Sequence, residues 1–214
     1  VFAFLLYDRD TRELHAARDL LGIRPLFATA DGTSFASEAK SLLDGRGVAQ
    51  FPPGTWQTWE VTGHDASPAG RGRFWTHIPL APSLRVAPTD MLGRLRRLLH
   101  EAVRKRLVLT DRPVGCLLSG GLDSTLVTAI VVRERARLSP AAAPVHTYSV
   151  GMEGSPDLQW ARQAAEHLGT RHHEITLSER DFLDAVPDTV WHTESYDTTT
   201  VRASVGNLLV SRYV

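Results

Sequence analysis

The chain has 214 residues, of which 43% are hydrophobic and 22% charged, a composition typical of a folded globular protein. Its 24 basic and 24 acidic residues give a formal net charge of zero, so there is no electrostatic case for nucleic acid or an anionic membrane as a partner. A single cysteine excludes a disulfide framework and suits a reducing cytoplasm, and no apolar run approaches the roughly 18 residues that a membrane-spanning helix needs.

The first sixty residues are predicted to be rich in β-strands, because short apolar runs alternate with clusters of turn-forming residues. The runs cover residues 1–7, 13–17 and 25–29, and the turn clusters cover residues 8–10 and 31–33. A short helix is predicted to begin at Ser37 and Glu38 and to end at Leu43. Arg18 and Arg24 flank a turn, and we interpret both as structural residues whose ion pairs fix that turn.

Residues 61–88 shift to Gly, Pro, Ser and His, which predicts a hairpin edge followed by a linker. From Thr89 onward, helical and strand patterns alternate. Four helices are predicted. The first covers residues 89–107, the second begins at Asp123 or Ser124, the third is capped by Ser155 and ends at Gly169, and the fourth covers residues 178–191. The predicted strands cover residues 114–118, 145–150 and 171–175. This order predicts a parallel, doubly wound sheet with its ligand at the carboxyl ends of the strands.

The most informative segment is residues 117–124, Leu-Leu-Ser-Gly-Gly-Leu-Asp-Ser, between a predicted strand and a predicted helix. The unpaired N–H groups of a first helical turn, together with the positive end of the helix dipole, favour an anion there. Gly120 and Gly121 let the main chain approach phosphate oxygens, and Ser119 and Ser124 add hydroxyl donors. Asp123 suits such a loop mainly if a cation such as Mg²⁺ lies between its carboxylate and the phosphates.

Spacing excludes several other kinds of site. No lysine follows the glycines as in a P-loop, the Gly-x-Gly-x-x-Gly pattern of dinucleotide-binding proteins is absent, and Leu117 stands where a nucleophile elbow needs glycine. Residues 172–174, His-His-Glu, are the only histidine cluster. Because side chains alternate along a strand, His172 and Glu174 would share one face and His173 the other. We therefore expect solvent-facing or edge-strand histidines rather than a metal site.

Residues 117–124 resemble the pyrophosphate-binding signature of the ATP pyrophosphatases. Residues 151–158 (Gly-Met-Glu-Gly-Ser-Pro-Asp-Leu) and 194–204 (Glu-Ser-Tyr-Asp-Thr-Thr-Thr-Val-Arg-Ala-Ser) look like glutamine-dependent asparagine synthetase, a member of that group. Residues 18–26, 36–40 and 51–54 are similar to the glutaminase domain of the same family. These motifs occur in the family's order, so the resemblance extends over nearly the whole chain.

The resemblance implies the domain organisation. Residues 1–60 would be the C-terminal half of a class II glutamine amidotransferase domain of the N-terminal-nucleophile type, and residues 61–88 a hairpin and linker. Residues 89–214 would begin an ATP-pyrophosphatase synthetase domain with a doubly wound parallel sheet. The family's nucleophilic cysteine and its Ser-Gly-Glu-Gly segment lie outside this sequence, so we expect an internal fragment that is inactive alone. Cys116 is interpreted as a small core residue of a buried strand.

The resemblance also implies the nucleotide site. The residues that would bind ATP are Leu117, Leu118, Ser119, Gly120, Gly121, Leu122, Asp123, Ser124, Val150 and Gly151. Strand order alone also predicts Val150 and Gly151, because they end a strand expected to lie beside residues 114–118. By resemblance, Leu117 or Leu118 and Val150 would sit against adenine and ribose, and Asp123 would hold Mg²⁺ through the pyrophosphate.

A second segment would bind the substrate. Thr199, Thr200 and Arg202 lie at a predicted loop-to-helix junction, where Arg202 could neutralise pyrophosphate or grip a carboxylate. Local sequence alone favours a helix-capping threonine cluster with a surface arginine. Position after the third strand, together with the resemblance, favours a substrate site, in which Asp123, Thr199 and Arg202 are the catalytic residues.

The function implied is that of a fragment of an asparagine synthetase, which uses ATP and Mg²⁺ to join ammonia from glutamine to aspartate through an aspartyl adenylate. Its partners would be aspartate, glutamine and ATP, with neither nucleic acid nor membrane, and the intact enzyme could be a cytoplasmic homodimer. Two alternatives stay open. One is a related amide or β-lactam synthetase of secondary metabolism, and the other is a non-catalytic nucleotide-binding module.

Overall fold

The computed structural model describes residues 1–42, 47–63, 65–74 and 88–214, and it has a mixed α/β architecture. The described residues form two compact units, one before and one after the gap at residues 75–87. The predicted end of a helix at Leu43 and most of the predicted linker lie outside the described residues. In the described part of the chain, no helix is both long enough and apolar enough to cross a membrane.

The N-terminal unit is built from β-strands, as its sequence pattern predicts. Its strands are β1 (Ala3–Asp8), β2 (Glu13–Arg18), β3 (Phe27–Thr29), β4 (Phe35–Ala36), β5 (Val48–Gln50), β6 (Thr55–Thr62) and β7 (Asp65–Arg73). Within the described residues they form two antiparallel sheets, ordered β1-β2-β6-β7 and β4-β3-β5. Ala16, Leu26, Phe51 and Trp59 form the buried core of this unit. The helix predicted from Ser37 is a single 3₁₀ turn, Ala39–Leu42.

A buried arginine fixes the turn that follows β2. The Arg18 guanidinium donates to the main-chain carbonyls of Gly22, Arg24 and Phe51, each over 2.8 Å. The structural role predicted for Arg18 is therefore confirmed, but the predicted ion pair is wrong, since its partners are carbonyl oxygens. The neighbouring Asp19 carboxylate accepts main-chain N–H bonds from the same turn, and these outweigh burial and lower its pKa.

We expect Arg18→Ala to lower the free energy of unfolding of this unit by about 3–5 kcal/mol, because a buried side chain and its three charge-assisted hydrogen bonds to main-chain carbonyls would be lost. Arg24→Ala is the matched control. The Arg24 side chain is exposed, and its carbonyl remains in place after the substitution. Urea unfolding followed by tryptophan fluorescence measures both variants. Equal midpoints for the two variants would contradict this account of the turn.

The C-terminal unit alternates helices and parallel strands. Its elements are α1 (Pro88–Val108), β8 (Gly115–Leu117), α2 (Leu122–Leu138), β9 (His146–Met152), α3 (Pro156–Leu168), β10 (Arg171–Leu177), α4 (Glu179–Asp184), α5 (Val186–Thr193) and α6 (Thr198–Tyr213). In the described residues the sheet has the order β10-β9-β8 with all strands parallel. Helix α3 packs on β9 and β10, α6 packs on β9, and α1 packs on α2. This arrangement exposes the carboxyl ends of β8 and β9, where the sequence predicts a ligand.

Most helix boundaries agree with the sequence signals. Helix α3 begins after Ser155 with proline at its first position and ends at Gly169, which has the left-handed conformation expected of a C-terminal glycine. Ser178 caps α4 through reciprocal bonds with Asp181. The single helix predicted over 178–191 is wrong, because the chain breaks at Ala185 into α4 and α5. Pro187 lacks an N–H and restricts the residue before it, which favours a new start at that point.

Helix α2, whose N-terminus adjoins the glycine-rich loop, is tied to α1 by a buried carboxylate. Glu134 accepts a hydrogen bond from Arg137 and lies 2.7 Å from His100 Nδ1. The hydrogen bond with His100 is the main reason why the pKa of Glu134 is lowered, against the effect of burial. Because the pKa is lower in the folded state, ionised Glu134 stabilises the fold at pH values above its ordinary pKa of 4.5. This stabilisation is lost as the pH falls through the pKa of the folded state.

Candidate functional site

The loop between β8 and α2 is folded on itself and anchored to the next strand. Leu118 N–H donates to Tyr148 O over 2.8 Å, which fixes the start of the loop against β9. Ser119 N–H donates to Ser124 Oγ over 3.3 Å, and Ser124 Oγ in turn donates to Gly121 O. The hydroxyl oxygens of Ser119 and Ser124 are 3.0 Å apart. The two predicted hydroxyl donors are therefore brought together across the mouth of the loop.

The main-chain amides of residues 120–124 have no protein acceptor in the described part of the chain. Gly121 occupies the N-cap position of α2 and supplies no side-chain cap. Ordinary helices satisfy these first N–H groups with a capping side chain or water. Five adjacent donors at the positive end of a 17-residue helix therefore form a site that favours an anion.

The two glycines of this loop have different structural roles. Gly120 has φ +77, and a Cβ placed there would lie 2.4 Å from Ala161 N and 2.5 Å from Trp160 C. The loop therefore approaches the backbone of α3 more closely than any other amino acid would allow. Gly121 has an ordinary φ of −72, and a Cβ there would meet only Ser119 Oγ at 3.6 Å. Space beside Gly121 is available to a ligand.

A cavity of about 130 Å³ lies beside the loop, at the carboxyl ends of β8 and β9. Four of the residues predicted to bind nucleotide, Leu117, Leu118, Ser119 and Val150, line this cavity. Gly151 lies behind the wall instead, because a Cβ at Gly151 would come within 2.9 Å of the Leu158 side chain. Helix α6 closes the opposite side with Gly206, Asn207 and Val210, and α3 contributes Asp157 and Leu158.

Sequence reasoning missed the contribution of α6 to this cavity. Gly206 and Val210 follow Arg202 at intervals of four residues, so all three lie on one stripe of the helix. That spacing was the available signal, and it places Arg202 one turn from the cavity wall toward the N-terminus of α6. The Arg202 side chain is exposed and makes no hydrogen bond or ion pair with another described residue.

The threonines beside Arg202 are partly used in capping α6. Asp197 is the N-cap residue, and its carboxylate accepts from both the main-chain N–H and the hydroxyl of Thr200. These bonds lower the pKa of Asp197. Thr199 is exposed in the first turn of the helix. Thr199 and Arg202 are therefore more available to a ligand than Thr200, whose hydroxyl would have to leave Asp197.

Asp123 and Ser124 line a different cavity, of about 420 Å³, between α1, β8 and α2. The Asp123 carboxylate is exposed on the first turn of α2. Cys116 also lines this cavity and is only half-buried, so the prediction of a fully buried strand is wrong for β8. Among the described residues β8 is an edge strand, which leaves Leu117 49% exposed. Burial still raises the pKa of the Cys116 thiol, which makes a reactive thiolate unfavourable.

The histidine cluster adopts the predicted alternation. His172 lies within 2.9 Å of the Thr147 hydroxyl and 3.1 Å of the Ser149 hydroxyl, whereas His173 contacts His146 on the opposite face. Glu174 forms a bidentate pair with Arg162 of α3. In the described ranges no group of three or more possible ligands is arranged to hold a metal ion.

The fold and the site together define a mixed α/β protein with a glycine-rich, anion-favouring loop at the carboxyl ends of a parallel sheet. Residues 94–214 match the family described as Asparagine synthase, and residues 1–44 match the Glutamine amidotransferase domain. The chain belongs to the asparagine synthase family.

Curated relatives agree with this assignment. Glutamine-hydrolyzing asparagine synthetase 2 of Arabidopsis thaliana is 40% identical over 222 residues, covering 100% of this chain and 37% of the relative. The glutamine-hydrolyzing asparagine synthetase of Homo sapiens is 35% identical over 237 residues, covering 100% of this chain and 42% of the relative. The chain therefore spans well under half the length of the relatives that it matches.

Proposed function

We propose that this chain carries the ATP-binding part of a glutamine-hydrolysing asparagine synthetase. The observation that carries the proposal is the set of unpaired main-chain amides at residues 120–124, beside a cavity at the ends of β8 and β9. The amides would hold the phosphate chain, and the cavity would hold the base. The relatives' names, glutamine-hydrolyzing asparagine synthetase, support glutamine as a substrate and asparagine as the product. Aspartate and ATP are the further substrates of this proposal.

The reaction would proceed in two steps. The β-carboxylate of aspartate attacks the α-phosphorus of ATP, and pyrophosphate leaves with the electron pair of the broken P–O bond. Ammonia from glutamine then attacks the acyl carbon of the aspartyl adenylate, and AMP leaves. The amides of residues 120–124 would stabilise the negative charge that develops on pyrophosphate in the first step.

Side chains at the loop and on α6 would complete the site. Leu117, Leu118, Val150 and Gly151 would contact or support adenine and ribose. Asp123 fits an oxygen-liganded Mg²⁺, because it is an exposed carboxylate next to the anion-favouring amides. Mg²⁺ bound there would screen the phosphate charge. Thr199, Thr200 and Arg202 would bind the departing pyrophosphate or the aspartate carboxylate, with Asp123, Thr199 and Arg202 as the catalytic set.

The same proposal covers the architecture and setting of the protein. Residues 1–60 would belong to a class II, N-terminal-nucleophile-type glutaminase, residues 61–88 would connect it, and residues 89–214 would begin a doubly wound ATP-pyrophosphatase domain. The antiparallel sheets of the first unit and the parallel sheet of the second support this division. The intact enzyme would be cytoplasmic and homodimeric, without a nucleic-acid or membrane partner.

Pyrophosphate exchange tests the proposal. We expect the intact protein to exchange labelled pyrophosphate into ATP when Mg²⁺ and aspartate are both present, because adenylate formation is reversible. The exchange should require aspartate and should not occur with glutamate or larger carboxylic acids. Exchange that occurs only with a different acid, or no exchange with any acid, would contradict asparagine synthesis.

A further inference from the structure

The cavity beside the glycine-rich loop is small, with room for part of a nucleotide such as its base. Its volume of about 130 Å³ is smaller than the roughly 300–1,000 Å³ typical of pockets that enclose a whole ligand. Three of its lining residues are apolar and buried: Leu118, Leu158 and Val210 are 1%, 4% and 3% exposed. These apolar contacts cannot by themselves distinguish one purine from another, so selectivity has to come from polar groups that line the cavity.

Asn207 is a polar side chain on the α6 wall, and its amide has a defined orientation. Its Nδ2 donates to the carbonyl of Ala203, one turn earlier, over 3.1 Å. A main-chain carbonyl is only an acceptor, so the NH₂ group of the amide must face it and Oδ1 must point away. Among the described residues no donor reaches Oδ1. Asn207 therefore has an unused acceptor and lines the same cavity as Leu118 and Val150.

We propose that Asn207 selects adenine over 6-oxopurines by accepting a hydrogen bond from the 6-amino group of the base. This inference rests on the proposed ATP site and adds to it the residue that reads the base. An amino group facing Oδ1 makes a hydrogen bond, whereas the oxygen of a 6-oxopurine would set two acceptors against each other. A flip of the amide that relieved this conflict would break the hydrogen bond to Ala203 O and set Oδ1 against that carbonyl.

Asp157 is the competing candidate for the same role. It lies in the first turn of α3, lines the same cavity and is also an acceptor. A carboxylate in that position can instead accept from ribose hydroxyls, as acidic residues do in dinucleotide-binding folds. The two roles can therefore be separated. A residue that reads the base affects the preference for ATP over ITP, whereas a residue that binds the ribose affects the preference for ATP over 2′-deoxyATP.

Equilibrium dialysis with labelled ATP, in competition with ITP and with 2′-deoxyATP, tests the proposal on the intact protein with Mg²⁺. The unaltered protein should bind ATP about tenfold or more tightly than ITP. Asn207→Leu should weaken ATP binding about tenfold and leave ITP nearly unchanged, so that the preference disappears. Asn207→Asp keeps an acceptor and should keep a preference for ATP. Ser211→Ala is the control, because it removes only an exposed bond to the Asn207 carbonyl and should bind as the unaltered protein does.

Two results would overturn the inference alone. One is an unchanged ATP-to-ITP ratio in Asn207→Leu while ATP still binds, and the other is loss of the ratio in Asp157→Asn but not in Asn207→Leu. If the unaltered protein binds no nucleotide, the proposed function fails as well. Circular dichroism of each variant confirms that it is folded, which is expected because Asn207 is exposed.

Discussion

Gly121→Val is expected to lower nucleotide binding and pyrophosphate exchange at least about 100-fold while leaving the fold intact. The protein itself has room for a side chain at this position, because φ is −72 and the nearest atom to a Cβ, Ser119 Oγ, is 3.6 Å away. The added carbon atoms would instead occupy the space through which phosphate oxygens approach the amides. Loss of nucleotide binding without loss of stability would therefore show that the added side chain blocks the ligand and does not disturb the packing of the protein.

Calorimetric titration with MgATP and urea unfolding would be measured on the same Gly121→Val sample. Gln159→Ala is the control, since the Gln159 side chain is exposed on α3 and makes no hydrogen bond with another described residue. We expect the control to bind as the unaltered protein does. Normal MgATP binding by Gly121→Val would mean that no ligand contacts this part of the loop.

Gly120→Ala, in contrast, is expected to destabilise the fold, lowering the free energy of unfolding by about 3–5 kcal/mol. Two costs add at this position. An alanine at φ +77 is strained, and its Cβ would overlap the backbone of α3 at Ala161 N and Trp160 C. Both neighbours are held in the helix, so neither can move aside cheaply.

Gly154→Ala separates the two costs of the Gly120 substitution. Gly154 has a similar φ of +75, but a Cβ there meets nothing within 4 Å. We expect Gly154→Ala to cost only the conformational strain, about 1 kcal/mol. Thermal or urea unfolding of the two variants would show the difference. Equal losses would mean that contact with α3 does not hold the loop in place.

The elements of the C-terminal unit could be predicted from the sequence, whereas the bonding of the turn after β2 could not. Helix α3 carries its own boundaries in Ser155, Pro156 and Gly169, and the parallel strand order follows from alternation of helix and strand. The bonding of Arg18 could not be predicted, because one of its acceptors, Phe51 O, is 33 residues away along the chain. A pattern of neighbouring residues contains no information about a carbonyl from a distant part of the chain.

The same limit applied to the candidate site. The loop at residues 117–124 has a local pattern, so its position between strand and helix is confirmed. The wall formed by Asn207 and Val210 depends on how α6 packs over β9, which is a tertiary contact. The single long helix predicted after Ser178 failed for a local reason, because the effect of Pro187 was overlooked. The roles of the individual site residues stay predictions.

The central claim is that the main-chain amides of residues 120–124 bind the phosphate chain of a nucleotide. The most direct measurement is a titration of ¹⁵N-labelled protein with magnesium pyrophosphate, followed by amide chemical shifts. The account predicts downfield shifts for these five amide protons, and little change for Leu118 N–H, which already donates to Tyr148 O. If pyrophosphate leaves the five resonances unmoved, or moves only amides elsewhere in the protein, the loop is not a phosphate site and the claim is wrong.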